Sequence, residues 1–298
     1  MTAVTIGNFD GVHIGHRRIF ERVVELARAH DWTPAVLTFD PHPAKIVAPT
    51  RAPKLLSTLE QRFSLMRAAG IQQIEVIPFD RTFSELSPEE FACRILMDRL
   101  DAKAVLVGEN FRFGNKQSGD IRLLRELGDK YGFLTEIISG IRARGRVVSS
   151  SQVRQLIEHG QVSMVCRMLA RPYEITGQVV TGHGIGSKQT VPTLNLKTAA
   201  EVIPATGVYI TRTQDPVSGR SWNSITNVGY RPTFGGDELT IETFLLEPLA
   251  GDPPGQIQLS FLRRVREERR FDTPGALKTQ ILQDVTRAQT YFRRTGRL

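Results

Sequence analysis

The chain has 298 residues, of which 40% are hydrophobic and 23% charged, and no apolar run approaches membrane-spanning length. These values exclude a membrane-spanning or disordered chain and indicate a globular protein of one large or two ordinary domains. The net charge of +8 favours polyanionic ligands and is also compatible with nucleic-acid binding. The two cysteines, Cys93 and Cys166, lie in apolar, helix-like segments, and no secretion signal precedes the first strand. We therefore expect a cytoplasmic protein.

The first predicted strand, Val4–Ile6, leads through a glycine-rich loop into a predicted helix at Arg17–Ala29. The free N–H groups and the positive dipole at a helix start attract anions. His13 and His16 lie one turn apart there, so both imidazoles can face the same anion. The segment therefore predicts a phosphate site.

The same segment resembles the His-x-Gly-His signature of the nucleotidyltransferase superfamily, which attacks the α-phosphorus of a nucleoside triphosphate and releases pyrophosphate. The resemblance implies that His13 and His16 stabilise the triphosphate. It also implies that the loop binds the nucleotide through Gly7, Asn8, Phe9, Asp10 and Gly11.

Strands and helices alternate through the first half of the chain, which predicts a Rossmann-like α/β domain with a parallel sheet. The other strands are predicted at Ala35–Phe39, Ile74–Pro78, Ala104–Val107 and Phe133–Ile138. The other helices are predicted at Ser57–Ala69, Ser87–Leu100 and Ile121–Tyr131. Ser57 with Glu60, and Ser87 with Glu90, have the spacing of capping boxes. Ligands of such sheets bind at the carboxyl ends of the strands.

Three polar or aromatic segments follow these strands, and they resemble the FMN adenylyltransferase module of prokaryotic FAD synthetases. They are Thr38–Pro43, Gly108–Gly114 and Ser149–Arg154, the last with Ser151 where the family has threonine. The resemblance implies a nucleotide site that includes Asn110, Ser150, Ser151 and Arg154. It implies a flavin site formed by Asp40, His42, Phe111 and Phe113.

After residue 170 the pattern changes to short alternating segments, which predict an antiparallel β-barrel. The strands are predicted at Tyr173–Val180, Thr193–Lys197, Gly207–Thr213, Ser221–Asn227, Thr240–Leu246 and Gln256–Leu262. A helix at about Pro274–Arg293 follows, and the basic run Arg263–Arg270 is interpreted as a solvated edge. We therefore predict two domains, at residues 1–170 and 171–298.

A glycine-rich loop precedes Thr193 and Asn195, and its spaced glycines would let backbone N–H groups approach phosphate oxygens. The hydroxyl and amide oxygens of Thr193 and Asn195 suit Mg²⁺. The pattern resembles riboflavin kinase, which implies ATP binding by Gly182, Gly184, Gly186 and Lys188, and Mg²⁺ binding by Thr193 and Asn195. It differs from the family in having Thr190–Val191 in place of Gly-Phe and in a loop about one residue shorter. These differences leave the role of Lys188 open.

Asn227–Gly235 also resembles the kinase family, and Glu242 follows it on a predicted strand. The resemblance makes Glu242 the general base that takes a proton from the riboflavin hydroxyl. The sequence as a whole then predicts a bifunctional enzyme that phosphorylates riboflavin to FMN with ATP and Mg²⁺, and adenylylates FMN to FAD.

Two alternatives remain open at this point. One is a chain with a single working site, in which the kinase is lost and only the adenylyltransferase acts. The other is a non-enzymatic regulator that binds flavin or nucleic acid. We expect riboflavin, FMN and ATP as the partners, no nucleic acid or membrane, and a monomer or weak homo-oligomer.

Overall fold

The computed structural model of the protein describes residues 1–180, 193–233, 236–249 and 251–296. Contacts within the chain divide it into two compact units, Met1–Ser150 and Ser151–Leu298. The functional boundary predicted at residue 170 stays a prediction. The contacts within the chain place residues 151–170, which include two helices, in the second unit.

The first unit is an α/β fold. Its strands are β1 (Thr2–Ile6), β2 (Thr33–Asp40), β3 (Gln73–Pro78), β4 (Ala102–Gly108), β5 (Leu134–Ile138), β6 (Arg142–Ala143) and β7 (Arg146–Val147). Its helices are α1 (Ile14–His30), α2 (Pro43–Val47), α3 (Leu59–Ala68), α4 (Arg81–Ser84), α5 (Pro88–Phe91) and α6 (Ile121–Tyr131). A π-helical stretch, Ala92–Met97, continues α5, where a single helix to Leu100 is predicted.

Five strands form a parallel sheet in the order β3-β2-β1-β4-β5, which confirms the predicted parallel α/β fold. β1 is buried along its whole length, because hydrophobic clusters cover both faces of the sheet. The chain proceeds from β1 to β2 on one side, whereas β4 pairs with β1 on the other. The loops after β1 and β4 therefore meet at the switch point of the sheet, where such folds bind ligands.

The N-cap of helix α3 lies one residue later than the sequence predicts. Its capping box is formed by Thr58 and Gln61, so the prediction of Ser57 with Glu60 is wrong. The hydroxyl of Ser57 is instead used by the loop after β1. The capping box of Ser87 with Glu90 is confirmed.

The second unit begins with two helices, continues as a closed barrel and ends in a long helix. Helix α7 (Ser150–Glu158) starts at the boundary, α8 (Val162–Leu169) follows it, and α9 (Pro274–Arg294) is the last helix. The barrel strands are β8 (Tyr173–Val180), β9 (Thr193–Thr198), β10 (Gly207–Gln214), β11 (Ser221–Thr233), β12 (Gly236–Leu245) and β13 (Gln256–Arg266).

The barrel order is β10-β11-β12-β9-β8-β13, and all neighbours are antiparallel, which confirms the predicted barrel and final helix. Four hydroxyl side chains inside it are fully buried and satisfy one another: Thr211, Ser224, Thr226 and Thr243. The outer face of β10 and β11 packs against Ala288 and Phe292 of α9. In the basic run Arg263–Arg270, Arg263 and residues 267–270 are exposed, as expected for a solvated edge. Arg266 differs, because it is 16% exposed and donates to the Asp284 carboxylate at 2.8 Å.

No helix among the described residues is long and apolar enough to span a membrane.

We predict that Gly177→Ala destabilises the second unit by about 2 kcal/mol, because a Cβ at this position would overlap the carbonyl oxygen of Lys197 on the neighbouring strand. The measurement is denaturant unfolding followed by Trp222 fluorescence in a Trp32→Phe background. Gly255→Ala is the matched control, since a Cβ there meets nothing within 4 Å. Equal midpoints for the two variants would contradict the packing described for β8.

Candidate functional site

The loop between β1 and α1 has an unusual backbone. Phe9 and Val12 have positive φ values of 48° and 39°, which are uncommon for residues with side chains. Both side chains are nevertheless buried, at 3% and 1% exposure. Such a conformation persists only where surrounding contacts hold it.

The carboxylate of Asp10 supplies most of these contacts. It is 3% exposed and accepts hydrogen bonds from the backbone N–H groups of Leu56, at 3.0 Å, and Ser57, at 3.2 Å. The Ser57 hydroxyl donates to the same carboxylate at 3.2 Å and accepts from the Gly11 N–H at 2.9 Å. Asp10 therefore fixes the loop to the segment before α3, and its oxygens do not need a ligand to be satisfied.

Two further side chains hold the loop through its carbonyl groups. Arg62, on α3 and only 2% exposed, donates to the Asn8 carbonyl at 3.0 Å. Ser150 donates to the Asp10 carbonyl at 2.8 Å. Burial lowers the pKa of Arg62, and the charges of Asp10 and Asp40 oppose that shift. Sequence reasoning missed Arg62, although an arginine four residues before the buried Met66 lies on the inner face of the helix.

The two histidines form a stacked pair at the start of α1. Their ring centroids are 3.6 Å apart with an interplanar angle of 19°. The backbone N–H of His16 donates to Nδ1 of His13 at 3.3 Å, so neutral His13 carries its proton on Nε2. Gly15 makes room for this arrangement, since a Cβ there would lie 3.1 Å from that same Nδ1.

His16 is a partly buried ring whose Nδ1 has no hydrogen-bond partner among the described residues. The rings of Phe9 and His16 pack in a T-shaped arrangement, with their centroids 5.2 Å apart. Burial first, and then the nearby His13, lower the pKa of His16 well below its ordinary value of 6.5. His16 is therefore neutral near pH 7.

A cavity of about 880 Å³ opens beside Asn8, at the carboxyl edge of the sheet. Six phenylalanines line it: Phe39, Phe79, Phe83, Phe91, Phe111 and Phe113. Phe111 and Phe113 stack with centroids 5.5 Å apart and an interplanar angle of 14°. Sequence reasoning found these last two and missed the other four, which come from separate elements. The size and apolar walls suit a flat, drug-sized ligand.

The remaining predicted residues of the first unit have other positions. The His42 ring faces the Asn8 amide at 3.0 Å, but His42 and Asp40 do not line the cavity. Asn110 is exposed in the turn after β4 and is not one of the residues that line the cavity. The side of Gly7 that would carry a Cβ faces the Phe9 ring.

Two predicted nucleotide residues, Ser151 and Arg154, lie on α7 in the second unit. Ser151 is exposed and Arg154 is partly buried.

In the barrel, register brings a row of polar side chains together. Asn195 on β9 is directly opposite Glu242 on β12, and Glu242 is directly opposite Asn227 on β11. Opposed residues point to the same face with Cβ atoms about 4.5–5.5 Å apart. Thr193 shares this face because it is two residues from Asn195. The alternate residues Leu194 and Leu196 are buried, so the polar row lies on the outside of the barrel.

One further carboxylate, Glu268, reaches this row from beyond the end of β13. A Cβ on Gly229 would overlap its carboxylate and lie 3.1 Å from Nδ2 of Asn227. Sequence reasoning missed Glu268, because it lies outside any alternating segment and within a run of arginines.

The predicted phosphate loop of the kinase, with Gly182, Gly184, Gly186 and Lys188, lies outside the described residues, as do Phe234 and Gly235. Across the described part of the chain, no group of three or more His, Cys, Asp or Glu side chains could hold a metal ion.

A histidine pair at the switch point of an α/β unit, and a carboxylate–amide row on a barrel, are groups that transferases of phosphate-containing groups use to stabilise charge and to accept protons. The model of the FAD synthetase family matches residues 1–152, and that of the riboflavin kinase family matches residues 169–292. The bifunctional riboflavin kinase/FMN adenylyltransferase of Pseudomonas fluorescens is 35% identical and covers 96% of this chain and 91% of its own length. The Escherichia coli K12 protein of the same name is 33% identical, with 97% and 92% covered.

The chain belongs to the bifunctional riboflavin kinase/FMN adenylyltransferase family. The prediction of an enzyme of FMN and FAD biosynthesis is thereby confirmed. A crystal structure described as a macrolide-efflux protein from Streptococcus pneumoniae has a TM-score of 0.87 at 23% identity, covering 97% of this chain and 94% of that one. That likeness concerns the fold alone.

We predict that the first unit loses stability as pH falls below 6.5, the ordinary histidine value, because the unfolded chain then binds a proton that folded His16 resists. The slope from this one group should approach about 1 kcal/mol per pH unit after allowance for partial exposure. Denaturant midpoints read from Trp32 fluorescence, in a Trp222→Phe background, measure it. His16→Asn should flatten the dependence, whereas His30→Asn, an exposed histidine of the same helix, should not. Parallel pH profiles for all three proteins would contradict the assignment to His16.

Proposed function

We propose that both units of this chain are catalytic and that FAD is made from riboflavin in two steps, with FMN as the intermediate. The barrel transfers the γ-phosphate of ATP to riboflavin. The α/β unit transfers the adenylyl group of a second ATP to FMN and releases pyrophosphate. The observation that carries the proposal is the stacked pair of His13 and His16 at the start of α1. The loop before this pair is fixed by hydrogen bonds to the buried carboxylate of Asp10.

In the proposed adenylyltransferase site, His13 donates its Nε2–H to the triphosphate while its Nδ1 caps the helix. His16 is neutral in the free protein, and its ring N–H is proposed to donate to the phosphates as negative charge grows on them, which stabilises the transition state. Gly7, Asn8, Phe9, Asp10 and Gly11 shape the loop. Ser150 reinforces it, and Asn110, Ser151 and Arg154 are proposed further nucleotide contacts.

We assign the flavin ring to the phenylalanine cavity beside Asn8. Its aromatic walls match an isoalloxazine in shape and polarity. The stacked Phe111 and Phe113 would support one face of the ring. Asp40 and His42, on the neighbouring loop, are proposed to act at the edge of this site rather than in its wall.

In the proposed kinase site, Glu242 accepts the proton of the riboflavin hydroxyl as the γ-phosphate is transferred. Asn195, directly across the strand pair, and Thr193 are proposed to hold Mg²⁺ with their oxygens. The group of hard oxygen donors fits this ion, which would neutralise phosphate charge when bound. Gly182, Gly184, Gly186 and Lys188 are proposed to hold the phosphates of ATP.

The remaining assignments follow from this proposal. The substrates are riboflavin, FMN and ATP, and no nucleic acid takes part in catalysis. We propose a cytoplasmic protein that acts as a monomer or weak homo-oligomer, with functional domains at residues 1–170 and 171–298.

We predict that His16→Asn lowers FMN adenylylation about 100-fold, because it removes a group that stabilises charge in the transition state. Riboflavin phosphorylation by the same protein should stay near the wild-type rate. Glu242→Gln should do the reverse, with a loss of about 100-fold or more in phosphorylation. Chromatography of FMN and FAD, with riboflavin or FMN supplied, separates the steps.

Equal loss of both activities in either variant would contradict two separate sites. A wild-type protein that converts FMN to FAD but leaves riboflavin unchanged would favour the single-site alternative.

We predict that Phe111→Ala raises KM for FMN in the adenylyltransferase reaction about tenfold, because it removes one side of a stacked aromatic pair against the ring. The KM for riboflavin in the kinase reaction serves as the internal control and should not change. An unchanged KM for FMN would place the flavin outside this cavity.

A further inference from the structure

Two adjoining cavities lie on the second unit between α8, β13 and α9. One has a volume of about 730 Å³ and reaches Arg167 and Arg171. The other has a volume of about 550 Å³ and follows α9 to Arg287 and Arg294. Arg263 and Tyr291 line both cavities. We call the two together the arginine groove, defined by these five arginines and Tyr291.

The positive charge of the groove is not compensated by its own walls. The three elements that form it, α8, β13 and α9, carry one acidic residue between them, Asp284. That carboxylate is 2% exposed and already bonded to Arg266 and Gln280. Arg264 also lines the second cavity, and its guanidinium lies 3.5 Å from the carboxylate of Glu267, a side chain that is 86% exposed.

Four of the groove arginines are available for a ligand. Within the described residues, Arg167, Arg263, Arg287 and Arg294 have no carboxylate within ion-pair distance. A concave surface lined by charges of one sign concentrates counter-ions. Guanidinium groups on both sides of a cleft also match the oxygens of a phosphate chain.

Tyr291 gives the groove an aromatic face. Its ring packs edge-on against the buried Phe292, with centroids 5.5 Å apart and an interplanar angle of 80°. Because the ring is half-buried and borders both cavities, it can support a planar group placed between the flanking arginines.

The groove is distinct from the proposed kinase site. Around the barrel, two strands separate β13 from β12 in either direction, so Glu242 lies on the opposite side. No role in the proposed reactions uses Tyr291 or the groove arginines.

We propose that the arginine groove is a further nucleotide site, separate from the two proposed ATP sites, and that it binds a small ligand with a planar ring and two or more phosphates. Cavities of this size suit small molecules. A nucleic-acid chain would need a longer row of basic side chains than the groove has. The surface next to the groove does not extend such a row, because the first half of α9 exposes Leu277, Ile281 and Leu282. ATP and FAD share the required chemistry.

The test is the number of ligands bound per full-length chain, measured by equilibrium dialysis with ATP and, separately, FAD at fixed ionic strength. Arg263→Ala with Arg287→Ala should lose one bound ligand, or weaken one site at least tenfold. The nucleotide, ATP or FAD, whose binding is weakened more in this variant is the ligand of the groove. Lys278→Ala with Arg293→Ala removes the same amount of charge, from positions of α9 outside the groove, and should bind as wild type.

Equal stoichiometry and affinity in the two double variants would overturn the proposal. So would a single-stranded RNA oligomer that binds wild type more tightly than either nucleotide and loses that affinity in the groove variant. Both catalytic activities should be retained by both double variants, so a failure here is distinguishable from a failure of the proposed function.

Discussion

The adenylyltransferase unit depends on one buried carboxylate. Asp10 accepts hydrogen bonds from two backbone N–H groups and a hydroxyl, and thereby holds the loop after β1 in a backbone conformation that Phe9 and Val12 would otherwise avoid. Because the loop ends at the N-cap of α1, its shape decides where the stacked imidazoles lie. The pair is thus pre-organised at the switch point of the sheet before any nucleotide arrives.

The two units position their candidate functional side chains in different ways. In the α/β unit, burial and the neighbouring His13 lower the pKa of His16 and keep this histidine neutral. The barrel instead uses strand register, which places Asn195, Glu242 and Asn227 in one row without any unusual backbone. The rigid barrel beneath this row, with its internally satisfied hydroxyls, holds that register in place.

Local patterns in the sequence were sufficient to predict the fold and the residues within each motif. Alternation predicted all six barrel strands, and the strand–loop–helix pattern predicted the histidine site. Contacts between residues that are far apart in the sequence could not be predicted from these local patterns. The spacing predicts Ser57 as a helix cap, but its hydroxyl donates to the carboxylate of Asp10, 47 residues away in sequence, and Thr58 is the N-cap. Arg62, the four additional phenylalanines and Glu268 are functional candidates only because tertiary packing brings them to a site.

The central claim is that two separate pockets use two molecules of ATP, one at the γ-phosphorus and the other at the α-phosphorus. It is tested most directly by supplying riboflavin and ATP labelled with a different isotope at each of these positions. The account predicts FAD that contains both labels in equal amounts, with the γ-label already present in FMN. FAD that carries only the α-label, or no labelled flavin at all, would contradict it.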